Sequence, residues 1–193
     1  MEQGQTPQPV VIVLAAGRGE RFRASGGALH KLDAPLAGKP VLEHVLDAVR
    51  ASGLPMHVVR PDPSRPGMGD SIAAGVRATA DAPGWLVLPG DLPLVRPETL
   101  RAVATALLQG AAQAVVPWWD GHRGHPVGFA HACRDALQDL KGNQGAAPVL
   151  SGLSATNCVA NITSNDPGCI TDIDTLDDLA RAEALASRRT QGT

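Results

Sequence analysis

Cysteine is scarce in this sequence, neither sign of charge dominates it, and it has no long apolar run. Its three cysteines, Cys133, Cys158 and Cys169, are an odd number among 193 residues and show no C-x-x-C spacing. A disulfide framework or cysteine metal cluster is therefore not expected, and reduced thiols are. The formal net charge of -2 offers nucleic acid no broad field, although a local basic pocket near residues 18–31 is compatible with it. No apolar stretch approaches the roughly 18 residues that span a bilayer. The opening Met-Glu-Gln-Gly-Gln-Thr-Pro-Gln-Pro is polar and lacks the apolar core of a signal peptide. Together these absences predict a soluble cytoplasmic protein with neither nucleic acid nor membrane as partner. The length suits one full core, here expected over 10–186, with a flexible N-terminus (1–9) and a flexible, frayed C-terminus (187–193).

What is present is an alternation of strand-like and helix-like segments, the pattern of a mostly parallel sheet with helices on both faces. Val10-Val-Ile-Val-Leu14 reads as a buried strand. Val41, Leu42, Val45, Leu46 and Val49 form a helical stripe that ends near Gly53. Met56–Val59 and Trp85–Leu88 read as strands, with a helix from Ile72 to Ala80 between them. Pro97 opens a helix that carries Leu100, Val103, Ala104, Leu107 and Leu108. Ala114–Pro117 and Val127–Phe129 read as strands flanking a turn, and a helix follows over about 132–140. Thr175-x-x-Asp178 reads as a capping-box variant for a last helix.

The first strand empties into Ala15-Ala-Gly-Arg-Gly-Glu-Arg-Phe22, with Lys31 beyond. Small residues let backbone N–H groups approach phosphate oxygens, and cations neutralise them, so the segment suits a polyphosphate. It is not G-x-x-x-x-G-K-[ST], and Gly17-Arg-Gly19 lacks the third glycine of the dinucleotide fingerprint. Asp91 follows Gly90 at the carboxyl end of a buried strand, where open α/β sheets place ligands. A carboxylate there suits one vertex of a Mg²⁺ octahedron. Asp172 and Asp174 alternate around Ile173, so an extended segment would turn both to one face.

The run L-A-A-G-x-G-x-R-F, the spaced lysine and Leu36-Ala-Gly-Lys-Pro-Val-Leu-Glu-His44 resemble the signature of nucleotidyltransferases that move an NMP from an NTP. Gly67-Met-Gly-Asp-Ser71, Gly90-Asp-Leu-Pro93, Gly124-His-Pro126 and Asp172-Ile-Asp-Thr175 narrow the resemblance. It is to MobA-like NTP transferases, and among them to the molybdenum cofactor cytidylyltransferase (MocA-like) branch. The likeness spans about 10–186. It implies an α/β, three-layer αβα sandwich with a mostly parallel, Rossmann-like sheet of the nucleotide-diphospho-sugar transferase type. Only Leu54 to Pro66 lies where the family places an extra strand and helix, so the sheet is expected to be shorter by one βα unit.

The resemblance also implies roles. Lys31, Arg21 and Asp91 would be catalytic. Leu14, Ala15, Ala16, Gly17, Arg18, Gly19, Lys31 and Gly90 would bind the nucleotide, although Arg18 reads equally as a solvated charge. Gly67, Met68, Gly69 and Ser71 would read the base, unless the Ser71 hydroxyl simply caps its helix. Asp91 and Asp174, supported by Asp172, would hold Mg²⁺. His122, Arg123, Gly124, His125 and Pro126 would face the second substrate, with at most one of Trp118 and Trp119 beside them. His30, His44, His57 and His131 read as surface or packing residues, and Arg23 and Lys39 as surface charges. The family's G-D-x-G-A-R loop stands here with Asn143 for the acid and Ala147 for the arginine, so its acceptor-holding charges are missing. The expected reaction is Mg²⁺-dependent transfer of CMP from CTP to molybdopterin or a similar phosphorylated acceptor. The alternatives are use of GTP, a sugar or polyol phosphate acceptor, and a non-catalytic cofactor carrier that serves a molybdenum hydroxylase apo-enzyme.

Overall fold

A computed structural model describes residues 7–64 and 67–191, without side chains at 189–191. The expected flexibility of residues 1–6 and 192–193 lies outside the described residues. In chain order the elements are β1 (Val10–Leu14), α1 (Glu20–Ala24), β2 (Pro35–Leu36), β3 (Lys39–Pro40), α2 (Val41–Ser52), β4 (Met56–Val59), α3 (Met68–Ala78), β5 (Gly84–Pro89) and α4 (Pro97–Gln109). They continue with β6 (Ala114–Trp119), β7 (His122–Arg123), β8 (Val127–Ala130), α5 (Arg134–Gln138), α6 (Ala147–Ala155), β9 (Val159–Thr163) and α7 (Leu176–Gln191).

The sheet runs β4-β1-β5-β8-β6. Beyond β8, the far side of β6 is taken by β9, because β8 and β9 both pair with Ala114. The β7 stub pairs with Trp118 opposite Thr163 of β9, so it shares the β8 side. Strands β4, β1, β5, β6 and β9 run one way, and β7 and β8 run against them. The sheet is thus mostly parallel. One strand, β4, separates α2 from α3 and forms an edge beside β1.

The two-residue period of the strands builds two cores. Val11, Val13, Leu86, Leu88 and Val115 face α2 and α4, meeting Val45, Val49, Leu100 and Val103. Ile12, Trp85, Val87, Ala114 and Val116 face the other way, onto Ile72 and Val76 of α3 and Leu137 of α5. Central strands with both faces covered read as unbroken apolar runs, which is why β1 and β5 were visible in the sequence. A third cluster, with Phe22, Leu36, Leu94 and Ile173, closes the end that carries the loops. No described helix is long and apolar enough to cross a membrane.

Among the departures of the structure from the sequence reading are two helices. Helix α6 arose where no helix was expected; none of its residues is fully buried, so it lacks the one-sided stripe that marks a helix in sequence. Helix α3 begins at Met68, four residues before the expected Ile72, because Gly67 is extended at its N-cap. Helix α7 runs to Gln191, with Leu179, Leu185 and Ala186 packed on the Phe22 cluster.

Candidate active site

A cleft of about 910 Å³ opens at the carboxyl ends of β1 and β5. Main-chain bonds from Ala15 N–H to the Val59 carbonyl (2.9 Å) and from Gly90 N–H to the Leu14 carbonyl (3.0 Å) extend the ladder to its rim. Leu14, Ala16, Gly17, Arg18, Gly19 and Arg21 line it. Gly19 initiates α1 with φ of 63°, a left-handed conformation that glycine adopts freely. His30, read from sequence as a surface or packing residue, braces this loop. Its Nε2 lies 2.8 Å from the Gly17 carbonyl, and the Leu32 N–H donates to its Nδ1 at 3.3 Å. A neutral ring with the proton on Nε2 satisfies both bonds.

Three segments distant in sequence meet in a charge network. The Lys31 ammonium donates to Asp91 Oδ2 at 2.5 Å and to Asp174 Oδ1 at 2.9 Å. Arg21 pairs with the other Asp174 oxygen at 2.7 Å. The Lys31, Asp91 and Asp174 side chains are only 12, 17 and 18 % exposed, so water screens them weakly. Burial pulls the Lys31 pKa down, but the charges and hydrogen bonds of Asp91 and Asp174 outweigh it and hold Lys31 above its ordinary value. The Ile173 N–H donates to the Asp91 carbonyl at 2.9 Å, stitching the two acidic segments together. Asp174 is positioned by the helix start behind it. There the Asp178 carboxylate accepts from the Asp174 and Thr175 N–H groups at 3.2 and 2.7 Å, and the Asp178 N–H donates to Thr175 Oγ1 at 3.2 Å. This is the reciprocal box that the sequence suggested. Asp172 lines the same cleft. Burial first, then the charges of Asp91 and Asp174, raise its pKa.

Among the described residues, the buried side-chain polar atoms without a partner are Asp91 Oδ1 and His125 Nδ1. Such atoms are rare in folded proteins and call for a ligand. The donor set is hard oxygen, and no three carboxylate, thiol or imidazole groups among the described residues form a closed metal cage. An open pair of carboxylates, one with a free buried oxygen, fits a cation that takes most of its ligands from phosphates and water.

The turn at Gly67 and Met68 lines the cleft with Ser71. The Ser71 hydroxyl donates to the Gly67 carbonyl at 3.0 Å, an i−4 bond inside the helix, so it does not serve as the N-cap. The sequence reading overlooked Asp70. Its Oδ2 accepts from the Gly67 and Gly142 N–H groups, each at 3.1 Å, tying the turn to the loop after α5. A Cβ at Gly67 would collide with the Gly142 carbonyl, and one at Gly69 would lie 2.9 Å from the Lys141 carbonyl. Gly69 therefore serves close packing and does not line the cleft. Gly142 and Asn143 do, which puts the altered loop beside the turn at Gly67 and Met68.

The turn after β6 divides. His125 and Arg123 line the cleft, whereas His122, Gly124 and Pro126 do not. His122 sits exposed on β7 with its ring on the Asp120 carbonyl, and Gly124 packs against Cys169, where a Cβ would meet sulfur. Burial lowers the His125 pKa, only partly opposed by the Asp91 charge and the Val87 carbonyl. Neither tryptophan lines the cleft. Trp118 carries Arg123 over its ring, 5.7 Å from the centroid. Ala15 and Gly90 shape the rim without lining it, while Phe22, Leu32, Leu92 and Ile170 line it unpredicted. They are apolar residues to which the sequence reading gave no role of their own.

The profile of the MobA-like NTP transferase domain matches residues 11–157. A bifunctional protein GlmU from Alkalilimnicola ehrlichii is 30 % identical over 181 residues, which are 83 % of this chain and 36 % of the relative. The chain thus spans about a third of the length of such curated relatives. A nucleotidyl transferase from Methanothermobacter superposes with a TM-score of 0.75 at 26 % identity, over 94 % of this chain and 99 % of its own. A Mycobacterium tuberculosis protein solved in complex with manganese gives 0.69 at 23 %, over 92 and 98 %. The molybdopterin-guanine dinucleotide biosynthesis protein A of Archaeoglobus fulgidus gives 0.63 at 22 %, over 93 and 99 %.

Proposed function

The chain belongs to the family of MobA-like NTP transferase domains, and from that premise we propose that it moves CMP from CTP to a phosphorylated acceptor of the molybdopterin type, releasing pyrophosphate. The observation that carries the reading is the convergence of Lys31, Asp91 and Asp174 beside the glycine loop. A manganese-bound structural neighbour and a neighbour described as acting in molybdopterin-guanine dinucleotide biosynthesis support the metal and the acceptor. The Ala15-Ala16-Gly17 start resembles the cytidine-using branch and supports the base.

The nucleotide triphosphate lies on the 16–19 loop, where backbone N–H groups approach its oxygens. Lys31 and Arg21 supply the cations, the first as a compact point charge and the second as a two-donor fork. A divalent ion, Mg²⁺ in this reading, held by Asp91 and Asp174 with Asp172 in support, would neutralise charge on the phosphate oxygens. An oxygen of the acceptor's phosphate attacks the α-phosphorus in line. A new P–O bond forms, the bond from the α-phosphorus to the α,β-bridging oxygen breaks, and pyrophosphate leaves with that electron pair. A phosphate monoester, whose second pKa is about 6, is already ionised near neutral pH, so no base must take a proton. His125, kept neutral by burial, borders the path without being needed as one. Rate comes from positioning and charge neutralisation.

Calorimetric titration with CTP and with GTP, each with and without Mg²⁺, tests this reading. The expected result is Mg²⁺-dependent binding that prefers CTP. A preference for GTP would move the protein to guanylyl transfer. Binding of neither nucleotide would overturn the reading in favour of a cofactor carrier.

A further inference from the structure

A second cavity, of about 270 Å³, lies between β6, β9 and α6; its lining includes Val116, Arg123, Leu150, Ser154, Val159 and Asn161, and the Asn157 amide also borders it. Its polar groups are unevenly spent. Asn161 Oδ1 already accepts from the Trp118 indole N–H at 2.8 Å, so the amide hydrogens are what Asn161 still has to offer. The Ser154 hydroxyl proton goes to the Leu150 carbonyl at 2.9 Å. Arg123 brings its fork of N–H donors, and no carboxylate among the described residues lies within ion-pair distance of it. No acidic residue lines the cavity. It therefore presents one uncompensated cation, amide donors and an apolar floor of Val116, Leu150 and Val159. Such a lining complements an anion attached to an uncharged body that carries hydrogen-bond acceptors.

Arg123 also lines the main cleft, so one side chain forms the wall between the two cavities. It pairs with Trp118 at the carboxyl end of β6, a strand parallel to β5, the end at which open α/β sheets take their ligands. We propose that this second cavity seats the body of the acceptor, with Arg123 gripping the acceptor's phosphate at the boundary so that it faces the nucleotide's α-phosphorus. The ligand is a phosphate monoester of a small, uncharged ring rich in oxygen or nitrogen acceptors. The inference rests on the nucleotidyl-transfer reading and adds where the second substrate lies.

Molybdopterin, a hexose 1-phosphate and inorganic phosphate are titrated into protein saturated with Mg²⁺ and a non-hydrolysable CTP analogue. Wild type is expected to bind molybdopterin or the hexose phosphate, and which of them binds identifies the ring. Arg123→Gln should weaken that binding about tenfold or more, the scale of one lost charge-assisted contact. Ser154→Trp, a change on the exposed side of α6 that fills the cavity, should weaken the ring-bearing ligand by a similar factor yet spare inorganic phosphate. Asn161→Leu should do so less strongly. Unchanged analogue affinity in Ser154→Trp and Asn161→Leu shows that those two fold, and an unchanged circular dichroism spectrum and melting temperature show it for Arg123→Gln, whose normal affinity for the acceptor phosphate would also overturn the inference. Normal affinity of Ser154→Trp for the ring-bearing ligand, or failure of wild type to bind either ring-bearing probe, overturns the inference. Failure of wild type to bind the CTP analogue counts instead against nucleotidyl transfer itself.

Discussion

The two ends of the sheet handle charge in opposite ways. Around β1 and β5 every central cation has its anion: Lys31 bridges Asp91 and Asp174, and Arg21 closes on Asp174. Around β6 and β9 a cation, Arg123, stands over an indole with no carboxylate of the described residues at ion-pair distance. The first arrangement holds reacting groups in register before a substrate arrives, at the cost of burying charges that must stay paired. The second leaves its electrostatic demand open for a ligand to satisfy. In the proposed transfer between two anionic substrates, the first kind of site would serve the chemistry and the second the acceptor.

The sharpest way to break this contrast is Asp91→Ala. Pyrophosphate release should fall by about a thousandfold or more, while circular dichroism shows the fold retained, because the bond that holds Ile173 is to the Asp91 main chain. Retained turnover would sink the assignment of Asp91. Next in size, Asp70→Ala strands the Gly67 and Gly142 N–H groups. It should raise the KM for the nucleotide by roughly tenfold with a smaller change in kcat, measured by steady-state kinetics, since Asp70 acts through the two loops it joins. Asp178→Ala removes the helix box behind Asp174 and should cost about 1 kcal/mol of stability in urea unfolding. The smallest effect is Asp172→Asn. The Asp172 pKa is raised in the fold, so at neutral pH its charged form opposes folding, and stability rises as pH falls through the folded pKa. The amide variant should melt slightly higher than wild type near pH 7, and the gap should close in acid, where wild type is itself protonated.

What could be read from the sequence followed the strength of each local signal. The β1 and β5 runs, the stripes of α2 and α4 and the Thr175–Asp178 box are set by periodicity and by contacts within a few residues, and the structure bears them out. Helix α6 and the α3 start gave weak signals, the first for want of a buried face and the second because an extended glycine moved the cap. His30 and Asp70 were passed over for another reason. Their side chains serve backbone groups, Gly17 and Gly142, one of which lies 72 residues away along the chain, and no local pattern marks such service.

The sequence by itself determined the alternation of strands and helices and the glycine-rich loop after β1 with its nearby acidic and basic residues, because short-range sterics and hydrophobic period suffice for those. Only the tertiary structure decided that Lys31 meets Asp91 and Asp174, that Asp70 locks two loops and that Arg123 divides two cavities. Those are distances between segments brought together by packing on one sheet, and distance decides the strength of charge pairs and hydrogen bonds.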